Sequence, residues 1–514
     1  MPVTPTYPGI YIEELPSSSR TITAAPTSIA VFVGYTHPFK TKSTNFKKAV
    51  QIFNFTDYEN EFGGLYRSGL VTADVADAVN QFFLNGGSVA YVVGLPSALT
   101  APNQTIGGIN FTPRELTDQI LMKVTISNLK SSIVPVVPFP TSFDIADVVI
   151  TYGSRSETYR GVSINASSDD YVEKRIGTVA KPISPLVTVS APVGGYTSFT
   201  AATATTLSPP IGATPFSSGD FTDVFKLDSE LDKVPIFNLL IIPGVADNGV
   251  WSAALAFCEK KQAFVILDPP AQAIAAPDSS ITPSRWIADL MDAAVPKSQN
   301  GAIYFPYLKS NDPLTGNPIE LPPSGFVAGI YARTDLNRGV WKAPAGLETT
   351  VSNTTGVVES GRMTDPRQGT LNPKGINCLR SFPGVGTVVY GARTLVSENT
   401  ALQQWKYVPV RRMTLFIEQT LYRNLGWVVF EPNDEPLWAA IRLSIEGFML
   451  SLFSQGAFQG ATPSQAFQVK CDKSTTTQTD INNGIVNIVV AFAPLKPAEF
   501  VIIKIAQLAG QVQS

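Results

Sequence analysis

The chain has 514 residues, of which 44% are hydrophobic and 15% charged, so it is long enough for about three domains with cores of their own. A net charge of −3 offers no basic field for phosphates, which argues against nucleic acid and anionic membranes as partners. Three cysteines without a CxxC pair argue against zinc or a disulfide framework. No signal segment or apolar run of about 18 residues is found, so we expect a soluble cytosolic protein.

The first 27 residues contain five prolines, at positions 2, 5, 8, 16 and 26, which break regular structure. Between them, "GIYIEEL" alternates with period two, with Ile10 and Ile12 on one face and Tyr11 and Glu13 on the other. A single strand cannot satisfy its own backbone, so this strand must pair with something. An extended tether over Pro16–Pro26 would let it reach about 30 Å from the core.

Folded structure is predicted to begin at Ser28 with "SIAVFVGYT", an apolar run typical of a strand buried on both faces. Two helices follow, in "DYENEFGG" and "TADVADAVNQFFLNGG", and then a second buried strand in "SVAYVVGL". Strand, helix and strand in this order predict a parallel βαβ arrangement.

Composition changes over residues 96–218, where short β-prone runs such as "DVVITYG" and "PLVTVSA" replace helical periods, and residues 181–217 contain a single charged residue, Lys181. We predict an inserted all-β domain. Disorder is the alternative for a segment of low charge with many prolines, but its tyrosines favour packing over at least part of it.

The α/β pattern resumes over residues 219–346. Apolar strands are predicted in "VPIFNLLIIPG", "QAFVILDPP" and "GAIYFPYL", and helices through Val250–Lys260 and around Trp286–Ala293. Together with residues 28–95 this region forms a predicted α/β core. Residues 347–375, rich in Gly, Thr and Asn, are predicted to be a linker.

Residues 376–495 are predicted to form a C-terminal α+β domain. It has a strand pair around "FPGVGTVVYG", helices at Val410–Arg423 and Glu435–Phe453, and strands at Ala466–Cys471 and Ile485–Phe492.

The last segment, 496–514, contains "EFVIIKIAQLAG", in which Val501, Ile503 and Ile505 alternate with Phe500 and Ile502. This pattern predicts a strand, with a helix over Ala498–Leu508 as the competing reading.

Candidate catalytic groups are few. His37 is the one histidine, and no GxSxG elbow supplies a nucleophile for it. The carboxylate clusters "DSELD" (228–232) and "EPNDEP" (431–436) precede or begin predicted helices, so helix capping explains them better than glycoside hydrolysis does. We therefore predict no catalytic residue.

Phosphate, cofactor and metal sites are not predicted either. In "GVGTVVYG" the third glycine is misplaced for a dinucleotide fingerprint, and the segment runs into a strand. Arg411 and Arg412 open an apolar helix, where a solvated or ion-paired face is favoured over a small-anion site.

Three stretches, in order along the chain, resemble the contractile tail sheath proteins of phages and contractile injection systems. They are "YPGIYIEEL" (7–15), "AGIYARTDLNRGVWKAPAG" (328–346) and the block from "INCLRSFPGVGTVVYGARTL" to "NDEPLW" (376–438). The resemblance implies an α/β and α+β multidomain fold with a subtilisin-like α/β core lacking protease activity, an outer inserted domain and extended β-arms at both ends. It implies a structural protein and not an enzyme.

In such a protein, subunits form six-fold rings around an inner tube, and arms complete a sheet in the C-terminal domain of adjoining subunits. The implied arm residues here are Pro8, Gly9, Ile10, Tyr11, Ile12, Glu13, Phe500, Val501, Ile502, Ile503 and Ile505. The residues implied to face the tube are Glu431, Asp434, Glu435 and Arg442.

Implied partners are neighbouring sheath subunits, the inner tube protein, baseplate and tail terminator or cap proteins, and sheath paralogues. Neither nucleic acid nor membrane insertion is expected. The resemblance implies assembly in the bacterial cytoplasm and a place in a phage tail or contractile injection particle. The alternatives are an α/β hydrolase-like enzyme and a coat or adhesin protein.

Overall fold

A computed structural model describes residues 20–71, 73–115, 120–132, 142–210, 212, 216–280 and 284–505. The predicted N-terminal strand with Pro8, Gly9, Ile10, Tyr11, Ile12 and Glu13 lies outside these residues.

An eight-stranded sheet forms the centre of the fold. Its strands are β1 (Ala30–Tyr35), β2 (Val50–Ile52), β3 (Ala90–Leu95), β11 (Leu239–Ile241), β12 (Phe264–Leu267), β13 (Gly301–Phe305), β17 (Ile376–Phe382) and β18 (Gly386–Val389). Their order across the sheet is β18-β17-β13-β12-β11-β1-β3-β2. The inner strands are parallel, and β2 and β18 close the two edges as antiparallel strands.

Apolar side chains on both faces of this sheet are buried. In β1, Val31 and Val33 enter one core and Ala30 and Phe32 enter the other. The helices that accompany the central sheet are α1 (Phe55–Phe62), α2 (Asp74–Leu84), α4 (Ser218–Thr222), α5 (Asn248–Lys261), α6 (Ile287–Ala294), α7 (Ser324–Arg338) and α8 (Asp365–Leu371). The predicted βαβ arrangement is confirmed, because β1 and β3 pair in parallel over six residues.

Most of residues 96–218 form two small sheets with a core of their own. The elements are β4 (Gln104–Ile106), β5 (Ile109–Pro113), β6 (Met122–Lys130), β7 (Ile145–Tyr152), β8 (Arg155–Ser163), α3 (Val172–Ile176), β9 (Val187–Ser190) and β10 (Ala202–Thr206). One sheet has the order β10-β6-β7-β8 and the other β4-β5-β9. The helix α3 is a correction to the all-β prediction.

Helices α9 (Val408–Asn424) and α10 (Glu435–Ser454) pack in a separate C-terminal core with the two-stranded sheet of β19 (Phe467–Lys470) and β20 (Val489–Phe492). Two short helices complete this part, α11 (Pro463–Ala466) and α12 (Gln478–Asn482). By length and composition α10 could cross a membrane, but its apolar residues Trp438, Ile441 and Ile445 are buried in this core. Core packing therefore accounts for the hydrophobicity of this side of the helix.

Two sequence predictions about the middle of the chain are wrong. The hairpin β17–β18, predicted to belong to the C-terminal domain, extends the central sheet because β17 pairs in parallel with β13. The predicted linker 347–375 contains α8 and the strand β16 (Gly356–Val357), which pairs with β14 (Leu308–Asn311) beside β15 (Pro318–Leu321).

Candidate assembly site

An exposed apolar row ends the described chain. Relative exposure is 72% for Phe500, 80% for Val501, 82% for Ile502, 79% for Ile503 and 92% for Ile505. Residues 501–505 form neither the predicted strand nor the alternative helix in the isolated chain. Five of the six side chains from Phe500 to Ile505 are apolar, the exception being Lys504, so the segment exposes surface that proteins normally cover with a partner.

The β19–β20 sheet has open edges to which a segment such as this row can add. It consists of two antiparallel strands, with Phe467 opposite Phe492 and Lys470 opposite Val489. Within the described chain neither strand has a second neighbour in this sheet, so each leaves an outer edge of backbone groups unpaired. An edge of this kind accepts an added strand from another segment.

The row is attached to the rest of the molecule at Glu499. Arg393 donates to both carboxylate oxygens, from Nε at 2.7 Å and from Nη2 at 2.6 Å, and Asn372 Nδ2 donates at 2.7 Å. The Tyr407 hydroxyl donates the fourth hydrogen bond at 3.1 Å. Burial raises the pKa of Glu499, but the hydrogen bonds from Arg393 and Asn372 outweigh it and hold the pKa below its ordinary value.

The N-terminal side enters along α9 and α10. The Ala25 amide donates to Thr420 Oγ1 at 3.1 Å, and Asn424 exchanges two hydrogen bonds with the backbone of Thr23. The Arg20 guanidinium lies 4.7 Å from the ring centroid of Trp427. The second half of the predicted Pro16–Pro26 tether is therefore docked on the C-terminal core, which shortens the predicted reach of about 30 Å.

The four residues predicted to face a tube lie near the start of α10. Asp434 caps the helix by accepting from the Glu435 amide at 2.7 Å, which confirms the capping prediction for "EPNDEP". Arg442 donates to Glu435 at 2.7 Å and also to the Cys471 carbonyl, so both side chains have partners within the chain. Glu431 is exposed.

A second exposed surface on α10 was missed by sequence reasoning. Leu443 is 52% exposed and Leu450 47% exposed, and they lie with Ala439 and Gly447 on the side of the helix opposite the buried Trp438 and Ile445. The sequence did not reveal it because α10 is apolar on most of its circumference.

The candidate catalytic groups are structural. His37 is buried beside Tyr66, with ring centroids 4.9 Å apart, and burial lowers its pKa well below the ordinary value. A buried neutral imidazole without access to a substrate cannot serve as a general base.

The "DSELD" segment begins no helix. It forms turns in which Asp232 accepts from the Asp228 amide at 3.0 Å, so the predicted capping role there is wrong.

Arg411 and Arg412, considered as an anion site, are both buried with partners. Arg412 forms a bidentate pair with Asp335, at 2.9 and 2.6 Å, and Arg411 donates to Asn300 Oδ1 at 2.9 Å. The sequence favoured a solvated or ion-paired face; the structure instead buries both side chains, with Arg412 paired to Asp335 inside the protein.

No group of three potential metal-ligating side chains occurs among the described residues. The thiols of Cys258, Cys378 and Cys471 are buried and unpaired.

Asp268 and Ser324 have the residue types of a catalytic dyad, and the Ser324 hydroxyl donates to Asp268 at 2.6 Å, but both side chains are fully buried. Asp268, which directly follows β12, also accepts from the Ser324 amide at the start of α7, so this carboxylate caps the helix.

Two family models match the chain over more than half of its length. Residues 225–395 match the phage tail sheath protein central domain, and residues 400–507 match the phage tail sheath C-terminal domain. The first match includes β17 and β18, in agreement with their place in the central sheet.

Among curated proteins, the chain is similar to a putative prophage major tail sheath protein of Pseudomonas aeruginosa (strain UCBPP-PA14), with 26% identity over 53% of this chain and 66% of the relative. The tail sheath protein of Vibrio phage KVP40 is 25% identical over 39% of this chain and 27% of its own length. The chain thus spans between about a quarter and two thirds of the length of these curated relatives.

Similarity to solved structures covers nearly the whole chain. A chain in the baseplate of the anti-feeding prophage matches with a TM-score of 0.59 and 24% identity, over 98% of this chain and 99% of that one. A chain of the sheath complex of an extracellular contractile injection system, PVC, in its contracted state matches with a TM-score of 0.60 and 22% identity, over 98% of both chains. At these identities the matches show a common fold.

Proposed function

Since this chain belongs to the family of contractile tail sheath proteins, we propose that it polymerises as six-fold helical rings around an inner tube and contracts to drive that tube through a target envelope. The observation that carries this proposal is the exposed apolar row Phe500–Ile505 together with the unpaired edges of β19 and β20. A strand and an open sheet edge on one chain are complementary between copies of that chain.

We propose that the row of one subunit, and the Pro8–Glu13 strand of another, add to the β19–β20 sheet of a neighbour. Each backbone hydrogen bond gained contributes about 0.5 to 1.5 kcal/mol net, and full burial of each large apolar side chain contributes about 1.5 to 3 kcal/mol. The apolar side chains on both faces of the row then become covered, one face by the C-terminal core and the other by the surrounding subunits.

Contraction follows from the division between rigid domains and extended arms. The central sheet and its helices move as rigid bodies from a metastable arrangement to one with larger lateral contacts, while the arms act as hinges that keep the array connected. The free energy of the new contacts becomes axial shortening, and no nucleotide is required.

The tube is the proposed partner of α10. Glu431, Asp434, Glu435 and Arg442 remain the proposed polar contacts, although Glu435 and Arg442 already pair with each other. The exposed surface with Leu443, Gly447 and Leu450 adds an apolar strip that a tube helix or loop can cover.

The remaining proposals concern the particle. Baseplate and tail terminator or cap proteins bind the ends of the array, paralogous sheath proteins share it, and subunits assemble in the bacterial cytoplasm. The core has a subtilisin-like topology without protease activity, supported by a parallel sheet accompanied by helices. The inserted β-rich domain lies on the outer surface, where it does not obstruct ring stacking.

Negative-stain electron microscopy of the purified full-length chain tests the assembly. We expect tubular arrays for the unaltered chain, and none after deletion of residues 1–15 or for Ile503→Asp. Val193→Asp, in an exposed loop position of the inserted domain, is the matched control and should assemble normally. Absence of tubes from the unaltered chain counts against the sheath function, whereas normal tubes from Ile503→Asp count against the strand pairing alone.

A further inference from the structure

Residues 494–499, which connect β20 to the exposed C-terminal row, make few backbone contacts with the rest of the subunit. After β20 the Ala493 amide donates to the Ala466 carbonyl at 2.8 Å, and Pro494 forms an isolated β-bridge with Phe458, the last backbone pairing in the described chain. Pro494 and Pro497 interrupt the segment that follows, and a groove of about 1020 Å³, lined by Trp341, Tyr390 and the segment itself, separates part of it from the core. The side chain of Glu499 is thus a point attachment in front of the exposed row.

The Arg393 side chain that binds the Glu499 carboxylate is held in place by other hydrogen bonds. Arg393 Nη1 donates to the Asn372 carbonyl at 2.9 Å, and the Arg393 backbone exchanges two hydrogen bonds with the Asn377 side chain, at 2.7 and 2.8 Å. Asn377 belongs to β17 of the central sheet. Bidentate pairing between a carboxylate and a fixed guanidinium is directional as well as strong.

We propose that Glu499 is the positioning residue of the C-terminal arm: its clamp on Arg393, Asn372 and Tyr407 fixes where the arm leaves the subunit and transfers a pull on the arm to the central sheet. This inference rests on the proposed sheath function. Without the clamp, a pull on the arm would act first on the Phe458–Pro494 bridge and then on the short β19–β20 pairing. The clamp therefore protects the sheet on which neighbouring arms are added.

The same geometry sets the slack of the arm. From Pro494 to Glu499 the chain advances five residues, so without the clamp the start of the arm can lie up to about 17 Å from Pro494. Subunits joined by such slack arms are no longer held at one spacing, and their movement during contraction is transmitted less completely along the array.

Distances between spin labels test the clamp in the single subunit. The native cysteines are buried, so labels can be placed selectively at Phe500→Cys and at Leu336→Cys, an exposed position on α7. With Glu499 present we expect a narrow distance distribution, and with Glu499→Ala one broadened to about 10 Å or more, as for a flexible five-residue chain. Glu359→Ala, which removes an exposed carboxylate of the core, is the control and should leave the distribution narrow.

Electron microscopy of assembled tubes tests the consequence. We expect Glu499→Ala to give tubes with a variable axial repeat or incomplete contraction, Tyr407→Phe to give a smaller effect, and Glu359→Ala to give normal tubes. Equal label distributions with and without Glu499 would overturn the clamp. A broadened distribution with an unchanged axial repeat and full contraction would overturn its role in assembly, and failure of the unaltered chain to form tubes would overturn the sheath function while the label distances still decide the clamp.

Discussion

The central sheet and the β19–β20 sheet differ in how their edges and apolar faces are covered. The central sheet has eight strands, ends in antiparallel strands at both edges and buries its apolar side chains on both faces within the subunit. The C-terminal sheet has two strands, and only part of its surface is supported by its own core, with Val489 exposed. One sheet is complete in the monomer, and we propose that strands of neighbouring subunits complete the other, so substitutions should affect the first through folding and the second through assembly.

The largest effect on folding is expected where α7 and α9 are joined by the Arg412–Asp335 pair. The two side chains are 3% and 4% exposed, and Arg412 also donates to the Thr27 carbonyl at 2.9 Å. Asp335→Ala leaves a buried guanidinium without its counter-ion, and we expect a loss of about 3 to 5 kcal/mol in the free energy of unfolding. Urea denaturation of the monomer measures it.

Replacing both partners by apolar residues is the control for this pair. Asp335→Leu with Arg412→Met removes the unpaired charge and should recover much of the loss. If Asp335→Ala alone costs less than about 1 kcal/mol, the pair does not join the two helices as the structure indicates.

A somewhat smaller effect is expected where α7 crosses α2. A Cβ atom added to Gly325 would lie 2.5 Å from the backbone of Ala78, so Gly325→Ala forces the helices apart at a cost of about 1 to 3 kcal/mol. A Cβ atom added to Gly447 in α10 would meet no heavy atom of the described chain within 4 Å, and Gly447→Ala should instead stabilise the monomer by about 0.5 to 1 kcal/mol. Thermal unfolding of the two variants compares the helix contacts directly, and equal shifts would contradict the packing described for α7.

A pH-dependent effect is expected at His37, beside the central sheet. Burial lowers its folded-state pKa, and the charges of Lys40 and Arg114 act in the same direction. The unfolded chain takes up a proton below about pH 6.5 while the folded chain does not, so this group contributes stability that is lost as pH falls. Between about pH 7.5 and 5.5 the loss is about 1.4 kcal/mol.

The variant His37→Asn isolates this contribution. Asn can still accept the hydrogen bond that the Phe39 amide donates to His37 Nδ1 at 3.2 Å, and it does not titrate. Buried acids have the opposite effect on the pH dependence of stability. Burial raises the pKa of Asp268 to about 6, so this group makes the protein more stable as pH falls. The difference in pH slope between the two proteins is therefore the quantity to measure, and identical slopes would show that the pKa of His37 is the same in the folded and unfolded chains.

Much of the central sheet could be predicted from the sequence, because apolar runs such as "AVFVGY" occur where strands are buried on both faces. The membership of β17 and β18 could not, since a hairpin pattern does not specify which sheet it joins. The ion pairs could not be predicted from the sequence either, because Arg412 and Asp335 are 77 positions apart and Arg393 and Glu499 are 106 apart. Sequence periodicity reports local faces, whereas these contacts depend on how distant elements meet.

The assembly site was predicted unevenly for the same reason. The alternation from Phe500 to Ile505 predicted a strand, but the structure shows that the segment is exposed and forms no strand in the single chain. A strand pattern states what a segment forms when it is paired, and the partner for this one is not supplied within the described subunit. The polar residues chosen on α10 were selected by charge, and charge does not show that Arg442 already pairs with Glu435.

The smallest effect on folding is expected in the row itself, and it gives the sharpest contrast with the central sheet. Ile505 is 92% exposed, so Ile505→Asp removes no contact in the monomer and should change the free energy of unfolding by less than about 0.5 kcal/mol. Urea denaturation at a concentration where the chain is monomeric measures this change, with Val193→Asp as the control for adding a charge at an exposed valine. A loss above about 1 kcal/mol would mean that the row folds back onto its own subunit in solution, and the β19–β20 sheet would then be completed without a neighbour.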